Sequence, residues 1–467
     1  MHVHARSAGV LILLAGCAAT PATVLSPSAS LAPPPASSEP TPAELLPGVD
    51  EKDKGFGSDK SYFIPAGEIV TFEFLLNQFN RHTSRDDDYD SDAETIHDNL
   101  DRGWVIDQDI FATNQIAHPY AGSMYHGFAR SAGLNYWEAF GYTFAGSALW
   151  EIAGETTPPS LNDQITTTLG GSFLGEAFFR SANWLLERGG ARPGFAREFG
   201  AAALSPPTGL NRRVFGRRFR HLFSSEDAAV STRALFGAFR SRIPAQGASN
   251  EVEHENYFAR YTIDYGMPGK KGYDYDEPFD YYHLDFAASS DSDNHVDHIL
   301  VHGLLLGDEY GSGGYDGVWG LYGSYAYLSP GIFRLANSAL SLGTTAQDEL
   351  TDWMTLQGTL LGGIGYGAAG TIATDLSERD YHYGLTPQAV LDLRMIFANT
   401  LMAEISGRGY QIGGAGYNEN GGREEILQVE AALTFRVTGP HALRLAATGS
   451  WRDARYDERL AERGKDR

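Results

Sequence analysis

From about Tyr257 onward, apolar and polar residues alternate with a period of two. Leu427, Val429, Ala431, Leu433, Phe435 and Val437 share one face of a run whose other face carries Gln428, Glu430, Thr434 and Arg436. Leu443, Leu445, Ala447 and Trp451 stand against Arg444, Thr448 and Arg452 in the same way. Tyr257, Ala259, Tyr261 and Ile263 alternate with Arg260, Thr262 and Asp264, and Leu391, Leu393, Met395 and Phe397 alternate with Asp392 and Arg394. Successive strand residues point to opposite faces, so each run predicts a strand with one apolar and one polar side. The runs reach the roughly 9 to 11 residues of a tilted membrane-crossing strand, with Tyr and Trp near their ends. A soluble β-sandwich produces the same alternation.

Upstream the period changes. Phe72, Phe74, Leu75, Leu76 and Phe79 mark one helix face within residues 61–82. Three more helices are predicted: one opening at Pro119, one over Tyr136–Ala153, and one over Ser160–Glu187 begun by Pro158-Pro159-Ser160. Gly122, Gly141, Gly146, Gly170, Gly171 and Gly175 keep them thin, and the Gly171–Gly175 spacing lets backbones touch. The expected fold is mainly β with an α-helical block: an antiparallel transmembrane β-barrel of about 10 to 12 strands with these helices as a plug or a periplasmic cap. Gly363, Gly365 and Gly367, opposite Ile364 and Tyr366, would leave room in the lumen for the helices to enter.

The N-terminus predicts export. Arg6, the apolar stretch Val10 to Leu14, and Leu14-Ala15-Gly16-Cys17 form a leader whose last four residues resemble the lipobox of bacterial lipoproteins. In that reading Cys17 is lipidated; in the other, an ordinary leader is cleaved near Ala19. Cys17 has no second cysteine to pair with. The expected organisation is a leader at 1–17, a Pro/Ser/Ala-rich tether at 18–55, a helical domain at 56–250 with its core block at 114–187, a barrel at 251–456, and a charged tail at 457–467.

A formal net charge of -23 argues against nucleic acid as a partner. With 54 glycines and 24 tyrosines the composition suits many short strands with aromatic rims. The expected location is the outer membrane of a Gram-negative envelope, which implies the insertion machinery and lipid or lipopolysaccharide as partners. Arg212, Arg213, Arg217 and Arg218 could face lipid phosphates, or form a solvated turn. The acidic run Asp86–Glu94 lacks the glycine and distant glutamate of an EF-hand and reads as a solvated loop.

Within the helical block, His118-Pro119-Tyr120-x-Gly122-x-x-x-Tyr125, Trp150-Glu151, Glu155, Ser160-x-Asn162-Asp163 and Gly170-Gly171-x-x-x-Gly175-Glu176 resemble a bacterial envelope family, a domain of unknown function. The resemblance covers roughly residues 100–222, implies the outer membrane, and brings no settled activity. His118, Ser123, Ser147, Glu151, Asp163 and Glu176 supply each member of a hydrolase constellation: nucleophile, base and orienting acid. No G-x-S-x-G elbow is present, and each residue has a structural account, with Glu176 able to pair with Arg180 four residues on. His295, His298 and His302 with Asp297 fall in one strand, where alternation puts only His298 and His302 on one face. No cofactor or metal is assigned. The leading expectation is a structural, assembly or transport role in the envelope; the alternatives are an outer-membrane hydrolase of lipid or lipopolysaccharide acyl chains, and a soluble periplasmic binding protein.

Overall fold

The alternating runs pair with one another in chain order. The structure, a computed structural model, describes residues 2–12, 60–83, 87–107, 109–190, 193–219, 228–244, 251–290, 295–331, 333–370, 381–413 and 422–456. Cys17, the tether and the charged tail lie outside the described residues. His2–Ile12, inside the stretch that reads as a leader, is extended.

Eleven strands follow the helices: β1 Val230–Pro244, β2 Glu251–Tyr265, β3 Tyr282–Ser289, β4 Val296–Ser312, β5 Tyr315–Leu328, β6 Arg334–Thr351, β7 Met354–Gly370, β8 Tyr381–Phe397, β9 Leu401–Ile412, β10 Gly422–Thr438 and β11 His441–Tyr456. Each pairs antiparallel with the next. The result is one curled sheet rather than the two packed sheets of a sandwich. The sheet begins earlier than residue 251, because β1 is paired with β2 from Val230 opposite Tyr265 to Pro244 opposite Glu251. Several hairpins at one end are tight; in the three-residue connection between β8 and β9, Ala398 and Asn399 both take positive φ (46° and 54°) and the Thr400 amide donates to the Phe397 carbonyl.

Curvature brings the polar faces together. Arg233 of β1 reaches Glu404 of β9 at 2.7 Å, and Arg260 of β2 reaches Glu430 of β10 at 2.9 Å. The convex face carries the other alternate residues, with Leu342, Leu360, Leu433, Phe435, Leu445 and Trp451 among its exposed apolar side chains.

The helices are α1 Phe63–Thr83, α2 Ala93–Asp101, α3 His118–Ser131, α4 Tyr136–Ala153, α5 Leu161–Ile165, α6 Gly171–Glu187, α7 Phe195–Leu204 and α8 Pro206–Val214. A π turn at Thr113–Ala117 leads into α3, and a second at Thr166–Gly170 joins α5 to α6. Asp92, from the acidic run, caps α2 by accepting from the Glu94 and Thr95 amides. The small residues do bring backbones into contact: a Cβ at Gly171 would stand 2.6 Å from Gly122 Cα, and one at Gly175 would stand 3.0 Å from the Ser123 carbonyl oxygen. α3 and α6 therefore cross at glycine.

The block neither plugs nor caps the sheet; it packs on the convex wall. Phe173 of α6 fills the space beside Gly323, and Gly170 abuts Tyr325. Gly323, Tyr325 and Tyr327 share the face of exposed Trp319 in β5, and Tyr381 and Tyr383 share that of exposed Leu385 in β8. These tyrosines join Phe111, Phe173, Leu174 and Ala177 in the largest apolar core. The physical reason is that the concave side is already full. A Cβ at Gly363 would meet the Leu340 carbonyl and Ser341, and one at Gly367 would meet Thr386 and Asn337, so the inward glycines accommodate the sheet's own polar side chains.

Candidate functional site

Three elements converge beside β8. His118 opens α3 directly after one π turn, Glu151 lies in the last turn of α4, and Asp163 lies in α5 just before the other π turn. Pro119 fixes the first turn of α3, and Ser160 caps α5 by accepting from the Asp163 amide at 3.2 Å. One ligand-type atom from each of His118, Glu151 and Asp163 lies within 4.8 Å of the others. Glu151 and Asp163 are 2% and 1% exposed, whereas His118 is half-buried and gives the cluster a side open to solvent.

Hydrogen bonds hold the surroundings stiffly. Glu151 Oε2 accepts from the Ser160 amide at 2.8 Å, while Oε1 is buried with no partner. Asn162 donates to Asp163 Oδ1 at 3.1 Å and to the Tyr383 hydroxyl at 2.9 Å, and its carbonyl accepts from the Asp107 amide. Asn114 donates to Asp107 Oδ1 at 2.8 Å and lies against the hydroxyls of Tyr381 and Tyr383. Gln115 donates to the Tyr383 hydroxyl, and its carbonyl accepts from Tyr325. The sheet wall thus forms one side of the site. His118 Nδ1 lies 3.3 Å from Thr167 Oγ1 in the second π turn.

The charge here is one-sided. Among the described residues, no Lys or Arg forms an ion pair with Asp107, Glu151, Glu155 or Asp163. Burial first, then Asp163, Glu155 and Asp107, holds the Glu151 carboxyl well above its ordinary range. Burial and then Asp107 do the same for Asp163. Burial pushes Glu155 up to about 7 against the pull of His118. Such an arrangement can hold a shared proton or a cation.

The other sequence candidates lie elsewhere. Glu176 sits in a separate buried network, 2.7 Å from Arg130, 2.8 Å from Arg180 and 3.0 Å from His126. Burial works upward on its carboxyl, but Arg130, His126 and Arg180 overcome it and hold it well below the usual range. Arg180 continues to Asp280 at 2.8 Å and ties the helices to the loop between β2 and β3. Glu176 is therefore a brace, through the pairing with Arg180 that its spacing allowed. Ser123 Oγ donates to the Tyr120 carbonyl at 2.6 Å, and Ser147 Oγ is buried without a partner, so neither serine meets His118 as a triad needs. Arg212 pairs with Glu198 at 2.8 Å and Arg213 is exposed; the side chains of Arg217 and Arg218 lie outside the described residues. His298 pairs with Asp285 and Asp297, and His302 stacks on His283, so no histidine trio forms in β4.

Asp107, Asn114, Asn162 and Tyr383 were not among the sequence candidates. The Asn114-Gln115 pair close before His118 and the Asn162-Asp163 pair carried a signal, as amides beside potential ligands. Asp107 and Tyr383 carried none, because folding alone brings them there.

No curated protein matches the chain, and no solved structure does. Residues 103–207, which hold His118, Glu151, Asp163 and Glu176 and stop before the sheet, match the model of a family described as a domain of unknown function (DUF3943).

Proposed function

We propose that the eleven-stranded sheet closes on itself in the outer membrane of a Gram-negative envelope and serves as a structural or assembly scaffold for the helical block on its wall. The observation that carries this reading is the division of the sheet's two faces. Alternate residues exposed on the convex side are Leu, Ile, Phe and Trp along β5 to β11, as a lipid-facing wall requires. The concave side joins opposite strands through Arg233–Glu404, Arg260–Glu430 and Arg394–Asp264 at 2.7 to 3.0 Å. Contacts from β1 and β2 to β9 and β10 require the sheet to turn through most of a circle, which supports closure. These ion pairs cross the interior, and the cavity lined by Arg233, Arg260, Asp285, Arg394 and Glu430 lies among them, which argues against an open channel.

The protein should fractionate with the outer membrane, migrate differently on gels before and after boiling, and show no stable conductance in a planar bilayer. Recovery in the periplasmic fraction without detergent would overturn the reading. A second reading, an envelope enzyme acting on lipid or lipopolysaccharide, draws on the convergence of His118, Glu151 and Asp163; without a serine at His118, it would use water as the nucleophile. Altered lipid A or phospholipid in a strain carrying His118→Ala, at normal folded yield, would favour it over a scaffold.

A further inference from the structure

We propose that His118, Glu151 and Asp163 bind one divalent transition-metal ion of the Zn2+ class, with a coordination position left for water. The inference concerns the helical block alone and does not rest on membrane insertion.

Three observations lead to it. The first is the donor set: one imidazole and two carboxylates, from three different helices, with ligand atoms within 4.8 Å of one another. Ligands about 2.1 Å from a tetrahedral ion lie roughly 3.4 Å apart, so side-chain rotations that close the group by up to about 1.4 Å suffice. The second is Glu151 Oε1, an oxygen on a side chain 2% exposed, with no hydrogen-bond partner while its twin accepts from Ser160. A buried carboxylate oxygen is left bare at considerable cost unless something cationic occupies the space before it. The third is the orientation of the ligands by their neighbours. Thr167 Oγ1 lies 3.3 Å from His118 Nδ1, and the Asn162 amide donates to Asp163 Oδ1 at 3.1 Å, so both side chains are held by hydrogen-bonding neighbours.

The backbone is consistent with this. π turns are rare and concentrate at functional sites, and here one ends at the residue before His118 while the other begins three residues after Asp163. The half-buried His118 gives an ion and its water a route in. A site with three protein ligands and one open position is the arrangement that activates water, whereas structural zinc sites are closed by four.

The test uses the full chain in detergent, stripped with a chelator and dialysed against Zn2+, Co2+, Mn2+ or Ca2+, each with a wash. Elemental analysis should find about one Zn2+ per chain, and the Co2+ form should show the visible d–d bands of a low-coordinate N/O site. Zn2+ should raise the thermal midpoint of the wild type. Glu151→Gln and Asp163→Asn, which keep side-chain shape, should weaken Zn2+ binding about tenfold or more and abolish the Co2+ bands, while Ser147→Ala leaves both unchanged. Wild-type protein that retains none of the four ions would overturn the proposal whatever the variants do. So would a stoichiometry unchanged in both isosteric variants. If circular dichroism shows a variant to be misfolded, the wild-type stoichiometry and Co2+ spectrum decide.

Discussion

The concave face of the sheet and the cluster around Asp163 both bury several carboxylates, and they balance them in opposite ways. On the concave face every acid named above meets an arginine: Glu404 lies against Arg233, Arg394 and Arg444, Glu430 against Arg260 and Arg444, and Asp285 against Arg260. Glu176 follows the same rule inside the helical block, with Arg130 and Arg180. At Asp163 the rule fails: Asp107, Glu151 and Glu155 gather with a single histidine, and one carboxylate oxygen has no partner. A balanced network is self-sufficient and holds structure together. An unbalanced one lowers stability as it stands, and it persists only where the surrounding fold over-determines it, which is the usual condition of a functional site.

The balanced networks give the largest effects when broken. Glu404→Ala would leave three arginines without their shared acid, and Glu176→Ala would take from Arg130 and Arg180 the buried carboxylate they share. Each should cost about 3–5 kcal/mol, read as a lower urea midpoint or lost folded yield. A loss below about 1 kcal/mol in both would remove the distinction drawn here. Next comes the packing that holds the unbalanced cluster. Gly171→Leu drives a side chain into the Gly122 backbone and should cost about 1–3 kcal/mol or more. Unchanged thermal stability would mean that α3 and α6 separate readily.

Much of this was legible in the sequence, and the limits have physical causes. Alternation exposes strands because the period of two is rigid, and the helix expected over Tyr136–Ala153 has those bounds in the structure. Ser160 and Pro119 mark helix starts through local chemistry that needs no tertiary context. Which side of the sheet the helices occupy was not readable. Tyr325, Tyr327, Tyr381 and Tyr383 face outward, where an aromatic girdle toward lipid and a docking surface for helices have the same pattern. Glycines in β7 likewise look the same whether they admit a helix or fit neighbouring polar side chains. Of the site, His118, Glu151 and Asp163 stood out as polar residues in apolar helices. Glu176 stood out for the same reason, and only the positions of Arg130 and His126 show that it belongs to another network.

A third prediction concerns pH. Glu73 in α1 is buried, its Oε1 has no partner, and burial, opposed by a hydrogen bond from Tyr125, pushes its carboxyl up to about 8. From the ordinary value of 4.5 to about 8 the folded chain holds a proton that the unfolded chain has released. Stability attributable to Glu73 is therefore complete below pH 4.5 and falls as pH rises toward 8, with a slope of up to about 1.4 kcal/mol per pH unit. Denaturation midpoints across pH 5 to 8 should fall more steeply in wild type than in Glu73→Gln. Parallel profiles would show that Glu73 is solvated.

The smallest expected effect is the sharpest, because its sign differs between the two kinds of network. Replacing Glu176 by Gln removes a charge that two arginines need and must destabilise. Replacing Glu151 by Gln in chelator-treated protein removes a carboxyl whose ionisation is opposed by burial and by Asp163, Glu155 and Asp107, and which has no arginine to satisfy. The amide keeps the shape, its oxygen can still accept from Ser160, and its NH2 can donate toward Asp163. We therefore expect Glu151→Gln to change stability by about 1 kcal/mol or less, in the stabilising direction, measured as a shift in urea midpoint at constant slope. The gain should shrink or reverse when Zn2+ is added, since the ion stabilises the wild type through the oxygen that the variant lacks. A loss of several kcal/mol in Glu151→Gln without metal would place Glu151 with Glu176 among the braces, and the imbalance at Asp163 would then be a structural feature of the fold.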